Sequence, residues 1–354
     1  MILTNLYFLQ MKKICILALL LSNFTVFAQE FKSAVDYLNY ISKEQTTISA
    51  STWKYTSAVA HSKSARRIEN TRKQLIKSIQ TAKTKIAAIQ NGYNGNLDYQ
   101  NAVIQYFDFC EKNLKEEYDK IINMQDVAEK SYDAMEAYLI ARDLISEKLN
   151  SEGEKSQNAF ASFALKNNIS VNTSAENELV KKINLSNEVF EYHTKIYLIF
   201  FKSNFTDNTL FAAIKNKDMA AIQQNANALV QYANEGLLKL KAVPAFKGDS
   251  SLIQITRKAL EFYKKQAEIF VPKIIDYYMF NDKFENAKKV MEAKTQSSRT
   301  QVEVDNFNGM VKQINEQVNN YNKQNATNFQ EKGNLLNEWT VTGENFISKY
   351  VPND

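Results

Sequence analysis

The chain is short of residues that break helices. Only 8 glycines and 3 prolines are spread over 354 residues. Such scarcity excludes a fold of many short strands and tight turns, because Gly and Pro punctuate short elements. Cysteine is scarcer still, at 2. Cys15 falls inside an apolar N-terminal run, which leaves Cys110 as the one thiol of a processed chain. One thiol excludes an internal disulfide and a cysteine-based metal site, and Cys110 reads as a small buried residue on a helix. Histidine is limited to His61 and His193, and neither has a Glu three residues before it. The Glu-x-x-His pairs of di-iron bundles are therefore missing. So are the His-Glu-x-x-His, Gly-x-Ser-x-Gly and P-loop patterns. The sequence nominates no catalytic residue, no metal ligand and no cofactor, and the chain reads as a non-enzyme.

What is present begins with a leader. Met11-Lys12-Lys13 precedes the apolar run Ile14 to Leu21, and Val26-Phe27-Ala28 supplies compact residues before a cleavage point. This is the layout of a secretory signal peptide over residues 1–28. Residues 1–10 carry no charge and read as a start-site artefact, with translation beginning at Met11. The apolar core is broken by Ser22 and Asn23, too short for a span of about twenty apolar residues. The mature chain is thus expected to have no transmembrane segment. Loss of Lys12 and Lys13 takes the net charge from +5 to +3, too weak to imply nucleic acid.

The second half echoes the first. At an offset of 156, Asp126, Glu129, Met135, Glu136, Ala137, Glu147, Asn150, Gly153 and Gln157 meet identical residues from Asp282 to Gln313. Gly92 meets Gly248 at the same offset. A period this long signals a duplicated domain rather than a solenoid unit of about twenty to fifty residues.

Apolar spacing predicts helices throughout. Ala34, Leu38, Ile41, Ile48, Tyr55 and Val59 mark the first. Ile68, Arg72, Leu75, Ile79, Ala82, Ile86 and Ile89 mark the second, a narrow seam ended by the Asn91–Asn96 turn. Ile104, Phe107, Leu114, Tyr118 and Ile121 mark the third; Met135, Tyr138, Ile145 and Leu149 mark the fourth. A break is expected near Asn150–Gly153, before a short apolar segment through Phe160, Phe163 and Leu165. After a polar linker at 167–175 the pattern restarts. Met219, Ile222, Ala226, Leu229, Ala233 and Leu240 form a helix ended by Pro244, and Leu260, Tyr263, Phe270, Ile274 and Tyr277 form another. Phe163, Lys166 and Asn168 match Phe329, Lys332 and Asn334 at an offset of 166, and a final helix is expected from about Asn334 to Tyr350. The reading is all-α: a tandem duplication of an up-down four-helix-bundle-like unit with an extra C-terminal helix. Unit 1 covers 29–166 and unit 2 covers 176–354. One continuous rod whose units share helices is the alternative.

Two clusters are candidate sites. Arg66, Arg67, Arg72, Lys73 and Lys77 belong to a basic run at 61–91 that suits an anionic glycan, a headgroup or an acidic partner. Neighbouring helices of opposite charge, this run and the acidic run at 111–154, explain it without any ligand, since charge runs on helices are usually solvated faces. Tyr197 and Phe200 lie in an all-round apolar stretch, and Tyr277, Tyr278 and Phe280 near a helix end. Rings so placed suit an apolar or glycan-like ligand, or simply a core. Glu136 and Glu292 of the repeated Met-Glu-Ala are either equivalent polar positions or good helix formers.

Several of these features are shared with a known family. Gly92 to Ile122, with Leu97, Tyr106-Phe107, Tyr118 and Ile121-Ile122, resembles it. So do Lys247 to Leu252 leading into Phe262-Tyr263 and Ile274-Ile275, and the Phe-x-x-Lys-x-Asn unit endings. The family comprises helical secreted or surface proteins, often lipoproteins, of leptospires and Bacteroidota. The resemblance implies a helical fold and an envelope location, and carries over no activity and no catalytic residue. This chain departs from the lipoprotein members in having no Cys at the cleavage point. Together these features predict an exported protein of the periplasm or cell surface of a Gram-negative-type bacterium. It would act as an interaction or scaffold module whose partner is another envelope protein or itself, with a small apolar or glycan-like ligand between helices or units as the alternative.

Overall fold

The computed structural model describes residues 31–62, 64–128, 132–171 and 178–353, without the side chains of 65, 117–128, 132, 136 and 138–147. The leader reading and the linker residues 172–175 lie outside the described residues. So do the side chains of Tyr118, Ile121, Glu136, Tyr138 and Ile145.

The fold is all-α. Among the described residues there are nine α-helices: α1 (Ala34–His61), α2 (Ala65–Ala87), α3 (Asp98–Ala128), α4 (Tyr132–Lys166), α5 (Glu178–Asn216), α6 (Met219–Lys241), α7 (Ser251–Lys265), α8 (Val271–Ala293) and α9 (Gln301–Tyr350). A π turn, Gln266–Phe270, joins α7 to α8 without a break. Contacts divide the chain into two compact units. Of the described residues, the first gathers those up to Ser51, Lys73–Lys115 and those from Ser146 to 171; the second gathers those within Thr52–Arg72, Glu116–Ile145 and 178–353. The split runs through α1 to α4 rather than along one stretch of chain.

In the first unit the α2 seam is buried as its spacing predicts: Leu75, Ile79, Ala82, Ile86 and Ile89. Tyr37, Leu38 and Ile41 of α1, Tyr99, Val103 and Phe107 of α3, and Phe163 of α4 are buried as well. In the part of α1 that belongs to the second unit, Val59, placed in the seam by its spacing, is exposed, and Trp53 and Ala58 are buried instead. Gln100 is buried and donates to the carbonyls of Ile86 and Ile89, both at 2.9 Å. It thereby satisfies acceptors that the end of α2 leaves open.

In the second unit α5, α6, the α7–α8 run and α9 pack together. Ile222, Ala226, Leu229, Ala233 and Leu240 of α6 are buried, and α6 ends before Pro244 as expected. Phe200, Leu210, Tyr263, Phe270, Ile274, Leu335 and Trp339 fill one core cluster.

Two expected breaks are absent. Gly153 lies inside α4, with Tyr106 Cε2 3.7 Å from where a Cβ would stand. No separate final helix starts near Asn334: that segment is the end of the 50-residue α9. A helix-interior Gly costs only about 1 kcal/mol. Burial of Ile314, Leu335, Trp339 and Phe346 along the same helix outweighs it.

The two halves carry the same turn between helices. Tyr93 and Asn96 exchange backbone hydrogen bonds at 3.2 and 3.0 Å, and Phe246 and Asp249 do so at 3.0 and 2.8 Å. The residues between have positive φ: Asn94 (52°) and Gly95 (80°) in one, Lys247 (49°) and Gly248 (85°) in the other. That is the requirement of a two-residue type I′ connection. Each turn ends in the same cap: Asn96 Oδ1 accepts from the Asp98 amide, and Asp249 Oδ1 from the Ser251 amide, both at 2.9 Å. Each turn ring joins a triad, Tyr37–Tyr93–Phe163 with centroids 5.1 to 5.9 Å apart and Tyr192–Phe246–Phe346 at 5.2 to 5.5 Å.

This geometry corrects the sequence register. Gly248 corresponds to Gly95, not Gly92. Phe346 and Lys349, not Phe329 and Lys332, take the places of Phe163 and Lys166. Lys166 pairs with Asp98 at 3.3 Å, and Lys349 with Asp249 at 2.7 Å, beside their respective turns. Met135 lies early in α4, whereas Met291 lies at the end of α8. The Met-Glu-Ala pair thus marks non-equivalent positions.

Candidate functional site

The candidate basic cluster is divided. Arg66, Arg67 and Arg72 belong to the second unit, Lys73 and Lys77 to the first. Arg72 is buried and holds Glu69 in a fork, Nε to Oε2 at 2.8 Å and a second guanidinium nitrogen to Oε1 at 2.9 Å; the other four are exposed. Further along α2, Lys83 pairs with Asp108 and Glu111 of α3, and Lys85 with Glu44 of α1 at 2.8 Å. These partners are acids on neighbouring helices.

The candidate rings lie within the second unit, at two levels of its core. Phe200 stacks on Trp339 with centroids 4.4 Å apart, and Tyr197 lies 5.8 Å from the same indole. Trp339 donates to Thr256 at 3.0 Å. His193 packs on the same group, its pKa lowered by burial. At the other level Tyr277 stacks on Tyr321 at 4.6 Å, and Tyr278 donates to the Ile214 carbonyl at 3.0 Å. Phe280 is half-buried and Met279 exposed. Tyr277 to Phe280 are not at a helix end, since α8 runs on to Ala293.

Between these levels the structure builds something the sequence reading missed. The π turn places Gln266 in the core, where it donates to Asp207 of α5 and accepts from Asn328 of α9 at 2.9 Å. Asp207 is fully buried, and its second oxygen faces the Lys332 ammonium at 2.5 Å with no other partner. Burial pushes the Asp207 carboxyl above its usual value, against the opposing pull of Lys332 and the Gln266 hydrogen bond. Tyr263 donates to Asn204 at 2.8 Å, and burial together with Asp207 raises its phenol well above the ordinary value. The only sequence signal for this network was polar residues interrupting apolar stripes, which surface positions also produce.

Outside this network, the π turn and α9 border a groove of about 440 Å³. It is lined by Phe262, Lys265, Ile269, Lys273, Asn320, Lys323, Gln324 and Thr327, with Gln266 and Asn328 at its base. It continues into a 210 Å³ stretch reaching Tyr277, Gln317 and Tyr321. π turns are single-turn irregularities frequent at functional sites.

Beyond the Tyr277–Tyr321 stack the bundle thins. The α5–α6 turn lies at this level, since Tyr278 reaches the Ile214 carbonyl. α8 and α9 then continue as a pair, with Phe284 stacked on Phe307 at 5.8 Å. Across residues 279–320 only Ile314 is buried among the described residues, while Met279, Val290 and Val302 are at least 60% exposed. A capping box at Thr300 and Glu303 closes the start of α9 at the tip of this arm.

Among the described residues no helix is long and apolar enough to cross a membrane, and no three His, Cys, Asp or Glu converge as a metal site. The fold and these surfaces define a helical-bundle protein with a polar groove and a two-helix arm. Comparison with known proteins finds no matching family model, no similar curated protein and no similar solved structure.

Proposed function

We propose that this chain is an exported, non-enzymatic interaction module of the cell envelope, and that the α8–α9 arm is its protein-contact surface. The observation that carries this reading is the arm itself: two long helices leave the bundle with apolar side chains unburied. Helices in proteins gain most of their stability from packing of an apolar face, and a pair packs only one face of each. Met279 and Val290 are eleven residues apart, close to three whole turns, so they share a face of α8. Export rests on the Met11–Ala28 leader. The matched turns and ring triads support descent of the two halves from one duplicated unit, with the third and fourth helices lengthened in the second.

The alternative of a small apolar or glycan-like ligand among Tyr197, Phe200, Tyr277, Tyr278 and Phe280 has less support, because most of these rings already pack on protein partners. Native mass spectrometry of the protein purified from its own envelope tests both readings. A complex with a polypeptide or a second copy, lost in the Met279→Glu/Val290→Glu/Val302→Glu variant, is the expected result. A bare monomer would end the interaction reading; a small extra mass lost on denaturation would favour the ligand.

A further inference from the structure

We propose that the groove between the π turn and α9 binds an extended, acidic peptide segment. It is a site separate from the arm. Three observations carry this.

The first is charge. Lys265, Lys273 and Lys323 line the groove, are exposed and have no ion-pair partner among the described residues. Some lysines of the same bundle are matched, as in Lys202–Glu235 at 3.1 Å, Lys258–Glu338 at 2.5 Å and Lys332–Asp207; what sets Lys265, Lys273 and Lys323 apart is that they share one groove. The acids of the groove, Glu331 and Asp276, lie at its two ends. Its middle is therefore positive and uncompensated.

The second is hydrogen-bonding capacity. Asn320 and Gln324 line both stretches of the groove, and their amides have no partner among the described residues. One turn before Asn320, the Gln317 Oε1 is buried and unpartnered. A primary amide offers two donors and an acceptor with two lone pairs, so it can meet an N–H and a C=O of one peptide strand together. Residues four apart on α9 rise about 6 Å, close to the roughly 6.6 Å between alternate residues of an extended chain. The run from Phe262 to Tyr277 spans about 20 Å at helical rise, room for about six extended residues.

The third separates a peptide from a glycan. A sugar is held best on a free aromatic face, yet Tyr277 and Tyr321 stack on each other, Phe270 is only 8% exposed, and the half-buried Phe262 packs edge-on with Tyr263 at 5.7 Å. The wall instead offers aliphatic surface: Ile269, on the π turn itself, is 50% exposed. Aliphatic side chains of a peptide match it. The π turn thus does two things with one irregularity: it turns Gln266 inward to the Asp207–Asn328 network and Ile269 outward to the groove.

The test uses the full chain and fluorescein-labelled decapeptides, one alternating Glu and Val and one alternating Lys and Val, read by fluorescence anisotropy, beside an array of random decapeptides. Binding of the Glu–Val peptide and array enrichment of acids alternating with aliphatics are expected. Lys273→Glu/Lys323→Glu should weaken binding by at least about tenfold at low salt and less at high salt, since exposed charges are screened. Asn320→Ala/Gln324→Ala should weaken it about tenfold with the salt dependence unchanged, the loss expected for two hydrogen bonds. Lys273, Asn320 and Lys323 are exposed and Gln324 is half-buried, so circular dichroism and the melting temperature serve as the folding check. No enrichment on the array, equal binding of the two peptides, or binding indifferent to both double variants overturns the proposal. Capture of an oligogalacturonate probe without the peptide overturns it in favour of a glycan. The arm variant should bind the Glu–Val peptide normally, so failure here and failure of the arm reading are told apart.

Discussion

Several single residues in this protein have consequences out of proportion to their size. Glu111 is one. Burial pushes its carboxyl up, but hydrogen bonds from Lys115, Lys83 and Gln80 outweigh that and hold it down to about 2. A depressed carboxylate contributes stability that is complete above its unfolded value, about 4.3, and is lost as pH falls through the folded one. The stability of the first unit is therefore expected to decline between about pH 4.5 and 2, and Glu111→Gln should flatten that decline in urea titrations at stepped pH. Asp207 is the opposite case, fully buried and answered by a single ammonium. Lys332→Met leaves that charge uncompensated and should cost about 3–5 kcal/mol. Adding Asp207→Asn should recover much of the loss in a double-mutant cycle; no recovery would mean the pair is not coupled. At the first turn, a Cβ on Gly92 would stand 2.0 Å from the Asn96 carbonyl oxygen, at φ +57°. Gly92→Ala should cost at least about 2 kcal/mol, and Gly248→Ala, at φ +85° with open space around it, only about 1 kcal/mol. Thermal unfolding of the two variants checks the order.

Among the elements, the long run from α7 through α8 has two characters. α7 buries Leu252, Ile253, Ile255, Thr256, Ala259, Leu260 and Tyr263; α8 buries only Val271, Ile274 and Tyr278, all before the arm begins. Local stability follows buried apolar contacts. Amides of 279–320 are thus expected to exchange with deuterium well before those of 252–278, and a partner seated on the arm should slow them. If the free arm proved as protected as α7, it would not be the loosely held pair described above. The same contrast explains why α9 stays one helix. Its ends are fixed by different means, the Thr300–Glu303 capping box at one and the Phe346 triad at the other, and its exposed Gly333 has too small a cost to break it.

For the molecule as a whole, cleavage of the proposed leader after Ala28 would leave a protein that begins at Gln29, as N-terminal sequencing of envelope material would show. A chain retaining Met11 there would contradict it. Much of the architecture was legible beforehand. The α2 and α6 seams, the Asn91–Asn96 turn and the halt before Pro244 follow from local rules, because apolar period and turn chemistry are written in neighbouring residues. The halves share a turn, but the sequence offset set Gly92 against Gly248, whereas in turn geometry Gly248 stands as Gly95 does. What the sequence by itself determined is the all-helical class and the faces that must be buried, since these depend on spacing within a few turns. Only the tertiary structure decided which polar residues turn inward, where four helices become two, and that the π turn sets Gln266 against Asp207 and Asn328 beneath an open groove. Those outcomes depend on contacts between residues about sixty positions apart, which no local period records.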